Sequence, residues 1–372
     1  MKITKTIVLL LAITCLLSCF TGCSQKEVYD DYGYGLTENG LYENLDKYNI
    51  TLPDFNKIEL QYDEILQWYV DAQIEAGNQT IKTIDDYVYQ YGNELLNYLG
   101  LAGKEVAELE DRVSVTLEFY KDGKKMEDFG STGVYAVKDD GDNIMNSFLG
   151  HKKGDEYEVD YTFPEDDKDY PSQTVQVKVK INDVAMADPI ASGVVEANLT
   201  KLQEELPNVT DVDTYLKALR PEIAKAILPD YMSNYVYEIK IDVPDEYTEY
   251  ELYRLKFRIN QIGYTYEEYC EEMKMTDEDI KAYCRQVAKE NLIYMLVFKK
   301  LNYTITYEEL KKYYGDNMAY TAQVQGEKYM RLNVLRDIAL SEIIDMVQLP
   351  EDKSNHTNES DDSTPQQATN PS

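Results

Sequence analysis

The period of the hydrophobic pattern changes twice along this chain, and no other feature restricts its fold so strongly. From Asp111 onward Val113, Val115 and Leu117 alternate with polar neighbours. Tyr157, Val159 and Tyr161 alternate again, and Thr174 to Val184 places Val175, Val177, Val179 and Ile181 on one face. A two-residue period belongs to strands with one buried face. Lys121-Asp122-Gly123-Lys124 reads as a hairpin turn, and Val134 to Val137 as a short strand. On either side the period is helical. Ile65, Trp68, Tyr69, Ala72 and Ile74 share a broad face, as do Tyr87, Val88, Tyr91, Leu95 and Leu99. After Asp188-Pro189 the helical pattern runs almost to the end. The expected fold class is α+β: a small antiparallel β domain over 105–186, joined to an all-α domain over 187–349.

Helix starts are marked by Thr-x-x-acid capping boxes: Thr265 with Glu268, Thr276 with Asp279, and Thr306 with Glu309. The helix after Thr276 is the best patterned, with Ile280, Tyr283, Cys284, Val287, Ala288, Leu292, Met295 and Leu296 inward. A last helix is expected from about Glu327 to Val347, ended by Pro350. Residues 351–372 are polar, and their composition predicts disorder. Residues 62–104 read as a helical segment packing on the C-terminal domain. Residues 24–45, polar and Tyr/Gly-rich, read as a tether, and 46–61 with Pro53 as an extended segment, so that 23–61 lies outside the folded domains.

The first residues carry an export signal. Lys2 and Lys5 precede the apolar run Ile7 to Leu17, and Phe20-Thr21-Gly22-Cys23 follows it. The run is too short to span a bilayer, which needs ~20 apolar residues. The segment resembles a bacterial lipobox, which implies cleavage after residue 22 and lipid on Cys23. The protein would then sit outside the cytoplasmic membrane, lipid-anchored to its outer face.

Sixty-nine acids against 37 bases give a net charge of −32, which repels nucleic acid and anionic headgroups. Nucleic-acid binding is therefore not expected. Beyond the signal and Cys23, only Cys270 and Cys284 remain; they read equally as a disulfide or as two small buried hydrophobes. The two histidines, His151 and His356, form no zinc spacing and no triad, and no calcium loop occurs. No metal and no cofactor are expected.

An ordered set of segments resembles the trigger factor family. Asp111-Arg112-Val113-Ser114-Val115 is similar to the opening strand of its FKBP-like domain, and Asp122-Gly123 to the first turn. Gly150-His151-Lys152-Lys153-Gly154-Asp155 and Thr162-Phe163-Pro164-Glu165 are similar to later turns of that domain. Leu216 to Arg220 with Glu222-Ile223, Ile241-Asp242-Val243-Pro244, and Thr276 to Lys299 resemble the helical C-terminal domain. Nothing here resembles the family's ribosome-docking signature, so no ribosome partner is expected.

The resemblance implies a prolyl isomerase pocket at Leu117, Met126, the segment Asp142 to Phe148 with Ile144, the Asp167/Tyr170 region, and Val177. Prolyl isomerisation needs an apolar, water-poor site that favours the twisted amide, with no nucleophile. Leu117, Met126 and Val177 are not aromatic, and the Pro of the family's Ile-Pro-Gly-Phe segment is absent. These residues therefore read first as core of a domain whose isomerase activity is weak or absent; an active isomerase with an altered pocket is the alternative. A non-catalytic surface binding module is a further one. His151 reads as structural, since the mechanism has no use for a titrating base. The resemblance also implies that the helical domain holds unfolded or nascent secreted polypeptides. Tyrosines crowd 231–269, and Tyr235, Tyr253 and Tyr264 are the candidate client contacts there, Tyr pairing large apolar area with a polar tip.

Overall fold

The structure, a computed structural model, describes residues 31–139 and 144–350. The signal segment, Cys23, Asp142 and the tail from residue 351 lie outside the described residues. The architecture is α+β, and the chain divides into two compact units. One holds described residues 79–139 and 144–223; the other holds 31–78 and 224–350.

In the first unit a four-stranded antiparallel sheet has the order β2-β1-β4-β3, from β1 (Arg112–Lys121), β2 (Lys124–Ala136), β3 (Glu156–Thr162) and β4 (Thr174–Ala185). The β1–β2 hairpin turns at Asp122 (φ 50°) and Gly123 (φ 75°), the left-handed pair its Asp-Gly sequence favours. β2 is much longer than the strand expected over Val134 to Val137. As an edge strand it buries no continuous face, so it carries no alternation to read. One face of the sheet is core. Val113, Val115, Val175, Val177, Val179 and Ile181 are each at most 3% exposed, joined by Phe148 from the short turn Ile144–Phe148.

The same unit contains a helix over Ile84–Tyr98, with short helices Val194–Ala197 and Leu199–Glu205 and the first part of Val212–Glu238. In chain order these are α2, α3, α4 and α5, α1 being Tyr62–Glu75. Gly92 lets α2 lie close to its neighbours, because a Cβ there would stand 3.1–3.2 Å from Ile190, Leu219 and Tyr215. The Tyr215 hydroxyl donates to the Gly92 carbonyl at 2.9 Å. α2 starts with a fourth capping box, Thr83 with Asp86. Residues 62–104 thus hold two helices that fall in different units, rather than one segment with a common packing partner. The division itself falls inside α5, just after Pro221.

The second unit is helical: α6 (Asp245–Gln261), α7 (Tyr266–Met273), α8 (Asp277–Lys300), α9 (Tyr307–Tyr314) and α10 (Met318–Met346), with α1 and the rest of α5. α7, α8 and α9 begin at the expected capping boxes. α10 is broken at Gly326, whose φ of 74° and ψ of 152° suit only glycine, so the helix read from Glu327 is its second part. The tether reading fails over 31–45, where Tyr32, Leu36, Tyr42 and Leu45 are buried. With Phe55 and Leu60, also buried, residues 31–61 form a strap over the helices. Its tyrosines bury their rings while its glycines allow close backbone approach, a combination that composition alone does not separate from a spacer. Cys270 and Cys284 are free thiols in one apolar cluster with Leu252, Ile259 and Ile280, which settles their reading as small hydrophobes. Among the described residues no helix is long and apolar enough to cross a membrane.

Candidate functional site

In the sheet unit the five pocket positions meet in one apolar cluster. Leu117 and Val177 are buried at 5% and 0% exposure, and Met126, Ile144 and Tyr170 pack half-buried against them. Leu117 and Val177 are therefore filled core. Aromatic rings gather beside them. Phe119, Phe129, Tyr161, Phe163 and Tyr170 form a contiguous aromatic cluster, with Phe129 and Phe163 centroids 5.5 Å apart and Phe129 and Tyr170 5.2 Å apart. These edge-on contacts suit the ring quadrupoles. Phe163 is buried at 6% exposure and the other four are half-buried, so the cluster keeps an accessible rim. Tyr170 is held by the turn before it, where Asp167 Oδ1 accepts from the Tyr170 backbone N–H at 2.8 Å. The sequence signal for this cluster was present: Phe119 continues the inward series Val113, Val115, Leu117, and Phe163 follows Tyr157, Val159 and Tyr161. His151 stacks on Tyr157 at 3.8 Å, and its Nδ1 meets Asp155 at 3.1 Å, as a structural side chain would.

In the helical unit Tyr235, Tyr253 and Tyr264 are half-buried. Of their neighbours, Tyr247, Tyr250 and Tyr269 are buried core. Many tyrosines instead serve the surplus carboxylates. Tyr231 donates to Glu64 at 2.9 Å, Tyr48 to Glu246 at 2.9 Å, and Tyr250 to Glu246 at 2.7 Å; in the sheet unit Tyr89 donates to Asp188 at 2.9 Å. Burial, reinforced by the carboxylate partner, pushes the Tyr89 and Tyr231 hydroxyls up to about 12. They stay protonated donors at any physiological pH. With 69 acids and 37 bases, neutral donors of this kind help to satisfy carboxylates that outnumber the cations. Besides Tyr34 and Tyr98, exposed tyrosines lie further along the chain, at Tyr303 (42%), Tyr307 (55%), Tyr313 (50%) and Tyr320 (62%). The stretch densest in tyrosine thus divides between buried rings and half-buried ones.

One buried polar cluster ties the strap to α6 and α8. Glu251 is buried and accepts from Arg254 Nη2 at 2.5 Å and Nε at 3.0 Å, Tyr42 Oη at 2.5 Å, and Asn291 Nδ2 at 2.8 Å. Arg254 Nη1 donates to the Tyr34 carbonyl at 2.7 Å. Burial raises the Glu251 carboxyl, but the Arg254 guanidinium and the converging donors outweigh it and hold it below the usual carboxylate range. The cluster is enclosed and braces structure. Among the described residues no group of His, Cys, Asp and Glu could hold a metal ion.

No protein-family model matches the chain. Its curated relatives are trigger factors. Those of Caldicellulosiruptor bescii and Caldicellulosiruptor saccharolyticus are 27% identical over 223 and 229 residues, in each case 54% of this chain and 50% of the relative. The trigger factor of Halothermothrix orenii is 28% identical over 285 residues, 71% of this chain and 62% of that protein. The chain therefore spans about half the length of the two Caldicellulosiruptor proteins. A solved structure of the trigger factor chaperone, from work on promiscuous substrate recognition in folding and assembly, is 18% identical with a TM-score of 0.40. That likeness covers 80% of this chain and 72% of that one.

Proposed function

We propose that the protein holds unfolded polypeptides on its helical unit, as a trigger-factor-like folding factor with weak or absent prolyl isomerase activity. It works outside the cytoplasmic membrane, anchored to the outer face through lipid on Cys23, and uses neither ribosome nor cofactor. The observation that carries the holding role is the exposed series Tyr303, Tyr307, Tyr313 and Tyr320, large amphipathic side chains on one stretch of a chain similar to trigger factors. Tyrosine presents rigid apolar area at low entropic cost and tolerates varied sequences.

Light scattering tests it. The protein in excess is expected to suppress aggregation of two unrelated denatured clients. Tyr307→Ser is expected to weaken suppression at nearly unchanged stability, since exposed substitutions stay within about 0.5 kcal/mol. Unaltered aggregation in the presence of the unmodified protein would sink the reading. A second reading, an active isomerase, is favoured by the accessible aromatic rim of Phe119, Phe129, Tyr161 and Tyr170, which is suited to a prolyl ring. Proline-limited refolding of a model substrate separates the two: the expected rate equals that in buffer, and marked acceleration establishes the second. For the anchor, detergent-phase partitioning of the cell-expressed protein is expected to disappear in Cys23→Ser; retention in that phase would remove the lipid assignment.

A further inference from the structure

We propose that a small cavity in the helical unit takes the C-terminal residue of a polypeptide, its apolar side chain inside and its free carboxylate on Arg258. This rests on the polypeptide-holding reading and deepens it. The cavity, of about 170 Å³, lies among α6, α7 and the first part of α10. Leu255, Ile259 and Val324 supply its apolar walls, with Arg258, Tyr269 and Tyr320 also lining it. Pockets for whole small molecules run to ~300–1,000 Å³, so this one suits a single side chain of leucine size.

Two polar features decide what accompanies that side chain. Tyr269 is only 6% exposed, and its hydroxyl is buried without a hydrogen-bond partner among the described residues. Buried polar groups in native proteins are rarely left so. Arg258 makes no ion pair and no side-chain hydrogen bond among the described residues, although acids outnumber bases 69 to 37. A half-buried guanidinium left unpaired in so acidic a chain is complementary to an incoming carboxylate, which its planar fork accepts in bidentate fashion. An apolar hole, a buried hydroxyl and a guanidinium together match an apolar residue whose own backbone ends in a carboxylate. An internal residue of an extended chain carries an amide at that point. Tyr320 lines this cavity and is 62% exposed, one of the exposed tyrosines assigned to the holding role, so a held chain presents its end here.

Fluorescence polarisation with the full chain tests the assignment. The probe is an N-terminally labelled Gly/Ser hexapeptide ending in leucine, as the free acid and as the C-terminal amide. The acid is expected to bind at least ~10-fold more tightly than the amide, the loss typical of removing a charged hydrogen-bond partner. Arg258→Gln is expected to abolish that preference, and a peptide ending in serine to bind weakly. Equal binding of acid and amide, or no binding of either, overturns the proposal; the comparison needs no variant, so misfolding of Arg258→Gln cannot obscure it. If clients are still kept soluble while acid and amide bind alike, the cavity assignment fails and the holding role stands. If the acid is preferred while aggregation proceeds unchecked, the holding role fails and the cavity assignment stands.

Discussion

Glu251→Ala is expected to destabilise the helical unit by about 3–5 kcal/mol, the cost of removing one partner from a buried ion pair. The substitution leaves the Arg254 guanidinium, 2% exposed on its side chain, with the Tyr34 carbonyl as its remaining recorded acceptor. Tyr42 loses its acceptor at the same time, and Asn291 Nδ2 is left with the Tyr42 hydroxyl at 3.4 Å. Urea unfolding followed by helical circular dichroism at pH 7 measures the effect, and a loss under about 1 kcal/mol would show that water reaches and compensates the cation. Replacing both partners, Glu251→Leu with Arg254→Met, is expected to cost far less than the single change, because no buried charge is then stranded. The pH dependence has a definite sign. Glu251 titrates lower in the folded protein than in the unfolded chain. Its contribution is therefore fully present above the unfolded carboxylate value of about 4.3 and is lost as pH falls through the lower folded value. Glu251→Gln should flatten that acid limb of the stability profile.

The parts of this molecule that were legible in sequence are those whose signal is local. Val175, Val177, Val179 and Ile181 alternate because one face of β4 is buried, and the Thr-x-x-acid boxes name helix starts because cap and partner lie three residues apart. Thr83 with Asp86 carried the same signal and adds a fourth. The strap was illegible for the opposite reason. What buries Tyr42 is Tyr247, stacked at 4.4 Å, and Glu251, more than two hundred residues away in sequence. Burial of that kind leaves no periodic trace in the segment itself. The candidate site was partly legible: Leu117 and Val177 are buried, as the alternation of their strands predicts, but the aromatic cluster draws on β1, β2, β3 and the turn at Tyr170 at once. That Arg258 has no ion-pair partner among the described residues is equally a tertiary fact, since acidic residues abound on either side of it in sequence.

Gly40→Ala is expected to cost about 2–5 kcal/mol and to loosen the strap before the helices. Gly40 has φ of 76°, a left-handed conformation that costs a residue with a Cβ roughly 1–2 kcal/mol. The added carbon would also stand 2.6 Å from the Leu332 backbone nitrogen and 2.9 Å from the Arg331 carbonyl carbon. Those atoms belong to the α10 backbone, which cannot give way as a flexible side chain could, and overpacking of this kind adds ~1–3 kcal/mol. Gly77 separates the two effects: its φ is 90°, yet a Cβ there meets nothing within 4 Å. Gly77→Ala should therefore show the conformational penalty alone. The strap is held chiefly by the rings of Tyr32 and Tyr42, by Leu36, and by bonds to Glu251 and Arg254. α8 keeps its own core, including Leu292, Ile293 and Met295. Amide hydrogen exchange in Gly40→Ala should consequently accelerate over residues 31–48 while α8 remains protected. Uniform acceleration across both would mean that strap and helices open as one cooperative body, and that the strap closes the helical core instead of resting upon it.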